Sequence, residues 1–213
     1  MKLQALIDEL TEDLAPVRPR RLWADVAIMT LIAVLELALL FAVGVAHLDM
    51  HRMLTQPTMG WRIVSLGLIA VLSGFTAIRS VEPAYSARGP LRWLVLLIAV
   101  CVVSGMFMGA MPRDLLGVIR ALDWPSGVDC AAKIILLSIA PLAALAVLCR
   151  RGAPTDLRRT PLLMGLAAAA WGAFVFVFAC PFNDPLYIVV WYGVGGGAVT
   201  LVARLVLPRV ARW

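Results

Sequence analysis

Six apolar runs, roughly 25–47, 61–78, 91–111, 130–149, 160–180 and 186–205, take up almost all of this 213-residue chain. Each is about 18–23 residues long, enough to cross a hydrocarbon core ~30 Å thick as a helix. A backbone in lipid must satisfy its own hydrogen bonds, so runs of this length fold as helices and pack against one another. The polar connections between them are short, which leaves no room for a separate soluble domain. The expected fold class is therefore all-α: a polytopic membrane bundle of six transmembrane helices, preceded by a short amphipathic cytoplasmic N-terminal helix.

Composition agrees. Hydrophobic residues make up 62% and charged residues only 15%, and the mean hydropathy is +0.92. So few charges could not cover the surface of a water-soluble domain. The charges present are unevenly placed. With the N-terminus in the cytoplasm, fourteen of the nineteen Lys and Arg residues fall on the inner side, leaving Arg52, Arg62, Arg113, Arg120 and Lys133 outside. Retained basic residues set orientation, so both termini are expected to be cytoplasmic. The basic pI near 9.7 then reflects helix ends facing anionic lipid headgroups, and no direct nucleic-acid contact is expected.

Residues 1–17, MKLQALIDELTEDLAPV, differ from the rest of the chain. Leu3, Leu6, Ile7, Leu10 and Leu14 form the stripe of an amphipathic helix, with Asp8, Glu9, Glu12 and Asp13 on the remaining face. Pro16 and Pro19 end it, and Arg18, Arg20 and Arg21 bring the chain to the membrane. One reading is a docking helix that offers an apolar stripe with an acidic rim to a basic partner protein. The other is a helix lying on the membrane or the bundle. Interfacial helices favour a Lys/Arg-rich polar face, which supports docking. The expected organisation is a docking segment at 1–22, a six-helix membrane domain at 23–207 and a short cytoplasmic tail at 208–213.

The four cysteines show no C-x-x-C spacing, so neither a thioredoxin-type pair nor a zinc knuckle is present. Cys101 is mid-span and Cys149 is at an inner end. Cys130 and Cys180 sit at the outer ends of the fourth and fifth runs, a face that would meet an oxidising periplasm in a bacterial inner membrane. His47 and His51, four residues apart in the first outer loop, are either interfacial histidines or a metal-binding pair on one helical face. In the second outer loop, residues 114–122 have the pattern of a short amphipathic helix ended by Trp124-Pro125-Ser126-Gly127. Asp129 and Lys133 are spaced to pair, and Pro141 is expected to loosen or kink the fourth helix.

Glu36 stands mid-span, where a carboxylate is costly and needs a partner. Ser65, Ser73, Ser104 and Ser138 are candidate hydroxyl partners. Gly105-x-x-x-Gly109, the fifth-span residues Gly165, Ala168, Ala169 and Gly172, and Gly193 with Gly195, Gly196 and Gly197 are expected to let helix backbones approach closely. No P-loop, H-E-x-x-H or G-x-S-x-G motif occurs. No inverted repeat with broken helices is evident either, so an enzyme is not expected. A small transporter or channel component for metal ions or small solutes stays open as an alternative.

One pattern is more specific. Leu10-x-x-Asp13-Leu14-x-Pro16-Val17 is followed by an arginine cluster and six apolar runs. Later come Gly127-Val128-Asp129-Cys130, Ser138-Ile139-Ala140-Pro141-Leu142, Arg150-Arg151-Gly152-Ala153-Pro154 and an Ala-rich run ending at Cys180. End to end, this resembles the NrsF family of bacterial membrane-bound anti-sigma factors. Cys180 is followed here by Pro181-Phe182-Asn183-Asp184, a departure that leaves the geometry after the cysteine to this chain alone.

The resemblance implies an inner-membrane anti-sigma factor whose partner is an extracytoplasmic-function sigma factor. Partner binding would fall to Leu3, Leu6, Ile7, Leu10, Asp13, Leu14, Pro16 and Val17. Cys130 and Cys180 would sense heavy-metal or thiol stress. No cofactor is implied, beyond a transient heavy-metal ion at Cys130 and Cys180 with His47 and His51 as candidate further ligands.

Overall fold

The computed structural model describes residues 22–44, 56–82, 85–110, 114–152, 156 and 158–210. The docking segment with Leu3 to Val17, the loop with His47, Asp49 and His51, and residues 211–213 lie outside the described residues.

The described chain is helical. The helices are α1 (Leu22–Ala42), α2 (Pro57–Arg79), α3 (Arg88–Ala110), α4 (Leu115–Ala121), α5 (Trp124–Leu137), α6 (Ile139–Arg151), α7 (Thr160–Val177) and α8 (Pro185–Val210). Six stretches are long and apolar enough to cross a membrane, with α5 and α6 together making the fourth, Trp124–Arg151. Among the described residues there are no strands.

Helix α7 is the centre. Fourteen of its eighteen residues are buried, and α2, α5, α6 and α8 pack around it. In lipid such packing rests on close backbone approach and polar contacts, since lipid tails are as apolar as leucine. The small residues of α7 make that approach possible. A Cβ on Gly165 would lie 2.8 Å from Thr200 Cα of α8, and one on Gly172 would lie 2.3 Å from Ser138 Oγ and 2.9 Å from the Ile134 oxygen. The expected Gly105 and Gly109 contact is also present, directed at Val189, Trp61 and Leu186.

The fourth span is interrupted where Pro141 requires it. A proline lacks the N–H for the helical bond to residue 137 and its ring crowds that carbonyl. The chain breaks at Ser138, and the buried Ser138 hydroxyl donates back to the Ile134 oxygen at 2.7 Å. The N-terminal half starts earlier than expected. Trp124-Pro125-Ser126-Gly127 does not end the preceding helix; it opens α5, with Pro125 in the first turn, where a missing N–H costs nothing. Cys130 therefore lies about two turns inside α5 and not at its head. The short helix α4 does form, with the Asp114 carboxylate accepting from Gly117 N at 3.1 Å. Lys133 pairs with Asp129 at 2.6 Å.

Helix α1 is the least embedded of the six spans. None of its residues is buried, and it touches α2, α6 and α7 only lightly. Its polar link is at Glu36, which accepts a hydrogen bond from Trp171 Nε1 at 2.9 Å. This corrects the expected serine partner. The hydroxyls of Ser65, Ser73, Ser104 and Ser138 instead donate to carbonyls three or four residues back in their own helices, a local bond open to any serine in a helix.

Candidate functional site

The core divides along the bundle. One end gathers Ala87, Leu94, Leu148, Cys149, Leu163 and Leu207. The opposite end gathers Met59, Cys130, Ala131, Ile134, Phe176, Cys180, Tyr187, Trp191 and Tyr192. Cys130 and Cys180, fifty residues apart in sequence, thus share one cluster, 3% and 1% exposed. Cys149 lies in the other cluster, and Cys101 packs midway beside Ile69, Ala70 and Ala170.

Three elements bring the pair together. Cys130 is carried on the inward face of α5, where Gly127, Cys130, Ala131 and Ile134 are buried at helical spacing. Cys180 is the third residue of the seven-residue connection, 178–184, between α7 and α8. Tyr187, Trp191 and Tyr192 of α8 wall the site. Gly127 allows this closeness, because a Cβ there would fall 1.9 Å from Trp191 Cε2. The Trp191 indole also donates to the Leu122 oxygen at 2.6 Å, fastening the loop before α5.

The sulfurs are hydrogen-bonded and not linked to each other; both cysteines are free. Tyr187 donates its hydroxyl to Cys130 Sγ at 3.2 Å, while the Cys180 thiol points to the Phe182 oxygen at 3.7 Å. Both thiols belong to the same buried cluster as Tyr187 and Tyr192.

Arg62 completes the network. Expected on the outer side, it lies at the Cys130 and Cys180 end of the bundle and is 0% exposed. Its Nη1 donates to the Phe182 oxygen at 2.8 Å and to Asn183 Oδ1 at 3.0 Å, and its Nη2 to the Tyr192 hydroxyl at 2.9 Å. Asn183 in turn bonds the Gln56 side chain. The segment after Cys180 is thereby held to α2 and α8 by a buried cation. The missed signal was a polar stripe: Arg62, Ser65, Ser73 and Ser80 recur on one face of α2, and all four are buried.

Chemically, the arrangement offers two adjacent sulfur ligands. Among the described residues no group of three His, Cys, Asp or Glu side chains could hold a metal. Glu36 is not part of the site, being held on α1 by Trp171.

Comparison with known proteins places this geometry in context. The chain matches the family described as NrsF, negative regulator of sigma F, over residues 10–213. It is 28% identical over 223 residues, covering 100% of both chains, to the anti-sigma-F factor NrsF of Caulobacter vibrioides (strain NA1000 / CB15N). No solved structure matches it.

Proposed function

Because this chain belongs to the NrsF family and is an anti-sigma factor, a negative regulator of a sigma factor, we propose how its parts divide that work. Residues 1–22 hold an extracytoplasmic-function sigma factor at the cytoplasmic face of a bacterial inner membrane, through Leu3, Leu6, Ile7, Leu10, Asp13, Leu14, Pro16 and Val17. Residues 23–207 form the membrane domain and 208–213 a cytoplasmic tail. Cys130 and Cys180 sense a soft metal ion or a thiol oxidant from the other side. The single observation that carries the sensing role is the burial of both thiols in one cluster at one end of the bundle.

Binding of a soft ion replaces two thiol protons by two metal–sulfur bonds and draws α5 toward the segment after Cys180. That segment is also gripped by Arg62 and leads directly into α8, so a shift there is passed to both α2 and α8. At the far end the Thr160 hydroxyl donates to the Ser80 oxygen at 3.2 Å, joining α7 to α2. Helix α1, which continues from the docking segment, is the element that a repacked bundle can move most easily. Turning a mostly bound sigma factor into a mostly free one takes about 5 kcal/mol of differential binding, a scale that two metal–thiolate bonds can meet.

The test is capture of the sigma factor from membranes bearing the full chain, a form lacking residues 1–17, or a Cys130→Ser/Cys180→Ser double variant. The expected outcome is capture by the first, none by the second, and capture by the third that soft metal no longer releases. Normal metal release from the double variant would sink the sensing role alone. The transporter alternative, with Glu36 and the outer cysteines lining one path, has no specific support: the cavity beside α7 and α8 is lined by neither Glu36, Cys130 nor Cys180.

A further inference from the structure

That cavity, about 470 Å³ in volume, lies between α2, α3, α7 and α8. Its shape comes from side chains that are missing. Gly193 and Gly197, four apart and so on one face of α8, both look onto open space, with no atom within 4 Å of a Cβ built on either. Their neighbours behave differently. A Cβ on Gly195 would meet the Ala131 oxygen at 3.2 Å, and one on Gly196 would meet Ala169 Cβ at 3.6 Å. Only half of this glycine run serves helix packing, which corrects the expectation that all of it does.

Arg62 and Tyr192 line one end of the cavity, and Arg204 lines the other. From Tyr192 to Arg204 is twelve residues of α8, or ~18 Å, close to the ~15 Å of hydrocarbon in one leaflet. Between these ends the walls are almost entirely apolar, with Ile69, Ile98 and Leu166 among them. The mouth is rimmed by the exposed side chains of Val102 and Leu201.

Arg62 supplies the second requirement. Its three acceptors, the Phe182 oxygen, Asn183 Oδ1 and the Tyr192 hydroxyl, are all neutral. Among the described residues no carboxylate pairs with it, and its Nε–H has no acceptor. A buried cation calls for an opposite charge, and a buried N–H for an acceptor. One group that carries both is a carboxylate on the guanidinium edge.

We propose that the cavity binds a long-chain fatty acid, with its carboxylate on Nε of Arg62 and its alkyl chain running along α8 over Gly193 and Gly197 toward Arg204. The volume falls near the small end of the ~300–1,000 Å³ typical of ligand pockets, room for one alkyl chain and not for a two-chain phospholipid. Arg62 and Tyr192 also hold the segment after Cys180, so occupancy bears on the cysteine site. The binding itself is independent of any role in sensing.

The experiment uses the full chain in fatty-acid-free detergent micelles, with palmitate and its uncharged methyl ester as probes and native mass spectrometry as the readout. Palmitate is expected to add one copy per chain, with about a tenfold smaller adduct for the ester, because only the acid can pair with Arg62. Gly197→Leu, which fills the open space, should abolish the palmitate adduct. Equal adducts for acid and ester, an undiminished adduct in Gly197→Leu, or a bound phospholipid that this variant removes in place of palmitate would each overturn the proposal. A second measurement needs no variant. Cys101 lines the cavity, so palmitate should slow its alkylation by a maleimide while methyl palmitate does not; an unchanged rate with palmitate also overturns it.

Discussion

Arg62 donates to the Phe182 oxygen at 2.8 Å, and Phe182 is two residues beyond Cys180. A fully buried cation on α2 therefore fixes the position of a thiol on the connection between α7 and α8. Arg62→Met keeps an unbranched apolar stem and removes every donor. It leaves the Phe182 carbonyl and Asn183 short of partners, at ~1–3 kcal/mol for each unsatisfied buried group, partly offset because no charge then remains to be desolvated. The expected result is a melting temperature in detergent lower by several degrees. Maleimide labelling of Cys180 should also accelerate, with Cys149, in the opposite cluster, unchanged. Equal labelling of Cys180 in both proteins would show that Arg62 does not position it.

The glycines give paired predictions of opposite sign. Gly127→Ala and Gly172→Ala place a Cβ 1.9 Å from Trp191 and 2.3 Å from Ser138 Oγ, and overpacking of this kind costs ~1–3 kcal/mol or more. Gly197→Ala meets nothing within 4 Å. It removes a mid-helix glycine worth about 0.5–1 kcal/mol against alanine, so it should leave stability unchanged or raise it. Thermal unfolding of the three variants side by side checks both signs.

The contact between Glu36 and Trp171, 2.9 Å long, is the polar tether of the loosely packed α1. Interhelical hydrogen bonds in membranes contribute roughly 0.6–2 kcal/mol. Glu36→Gln keeps an acceptor and should behave nearly as wild type, whereas Glu36→Leu and Trp171→Phe each lose the bond. A double-mutant cycle on the last two should return a coupling of about 1 kcal/mol. A coupling of zero would mean that the Glu36–Trp171 contact does not hold α1.

How much of this was legible in the sequence differs from residue to residue. The six spans were, because apolar run length against bilayer thickness is a one-dimensional property. The break in the fourth span was too, since Pro141 removes a donor wherever the helix goes, and so was the Asp129–Lys133 pair, a matter of helical spacing. The side on which Arg62 lies was legible and its burial was not, because hydropathy scores a charge near the start of a span the same way whether it faces water or the bundle. Its inward direction was carried only by the stripe it forms with Ser65, Ser73 and Ser80. The glycines of α8 could not be sorted at all from sequence, as whether a missing side chain is filled by a neighbour depends on helices far away in the chain. Glu36 found an indole and not a hydroxyl for a related reason. Serines in a helix satisfy themselves locally, and the Trp171 indole on α7 supplied the donor.

At the end of the bundle away from Cys130 and Cys180, Asp156 organises the entry to α7. Its Oδ1 accepts from the backbone N–H groups of Arg158 and Arg159, both at 3.1 Å, and its Oδ2 from Arg159 Nη1 at 2.8 Å. Slight burial pushes the carboxyl up, but these bonds to its charged form outweigh that and hold it below the usual carboxylate range. A depressed carboxylate pKa contributes stability that is present above the unfolded value, ~3.9, and is lost as the pH falls through the folded one. Asp156→Ala should therefore lower the melting temperature at pH 7 by an amount corresponding to about 0.5–1 kcal/mol, the low end of helix-cap losses, because the ion pair is partly exposed and screened. The gap between variant and wild type should stay constant from pH 8 to pH 5 and narrow below pH ~4 as the carboxylate is protonated. A gap that persisted undiminished into acid would assign the effect to the shape of the turn and not to its charge.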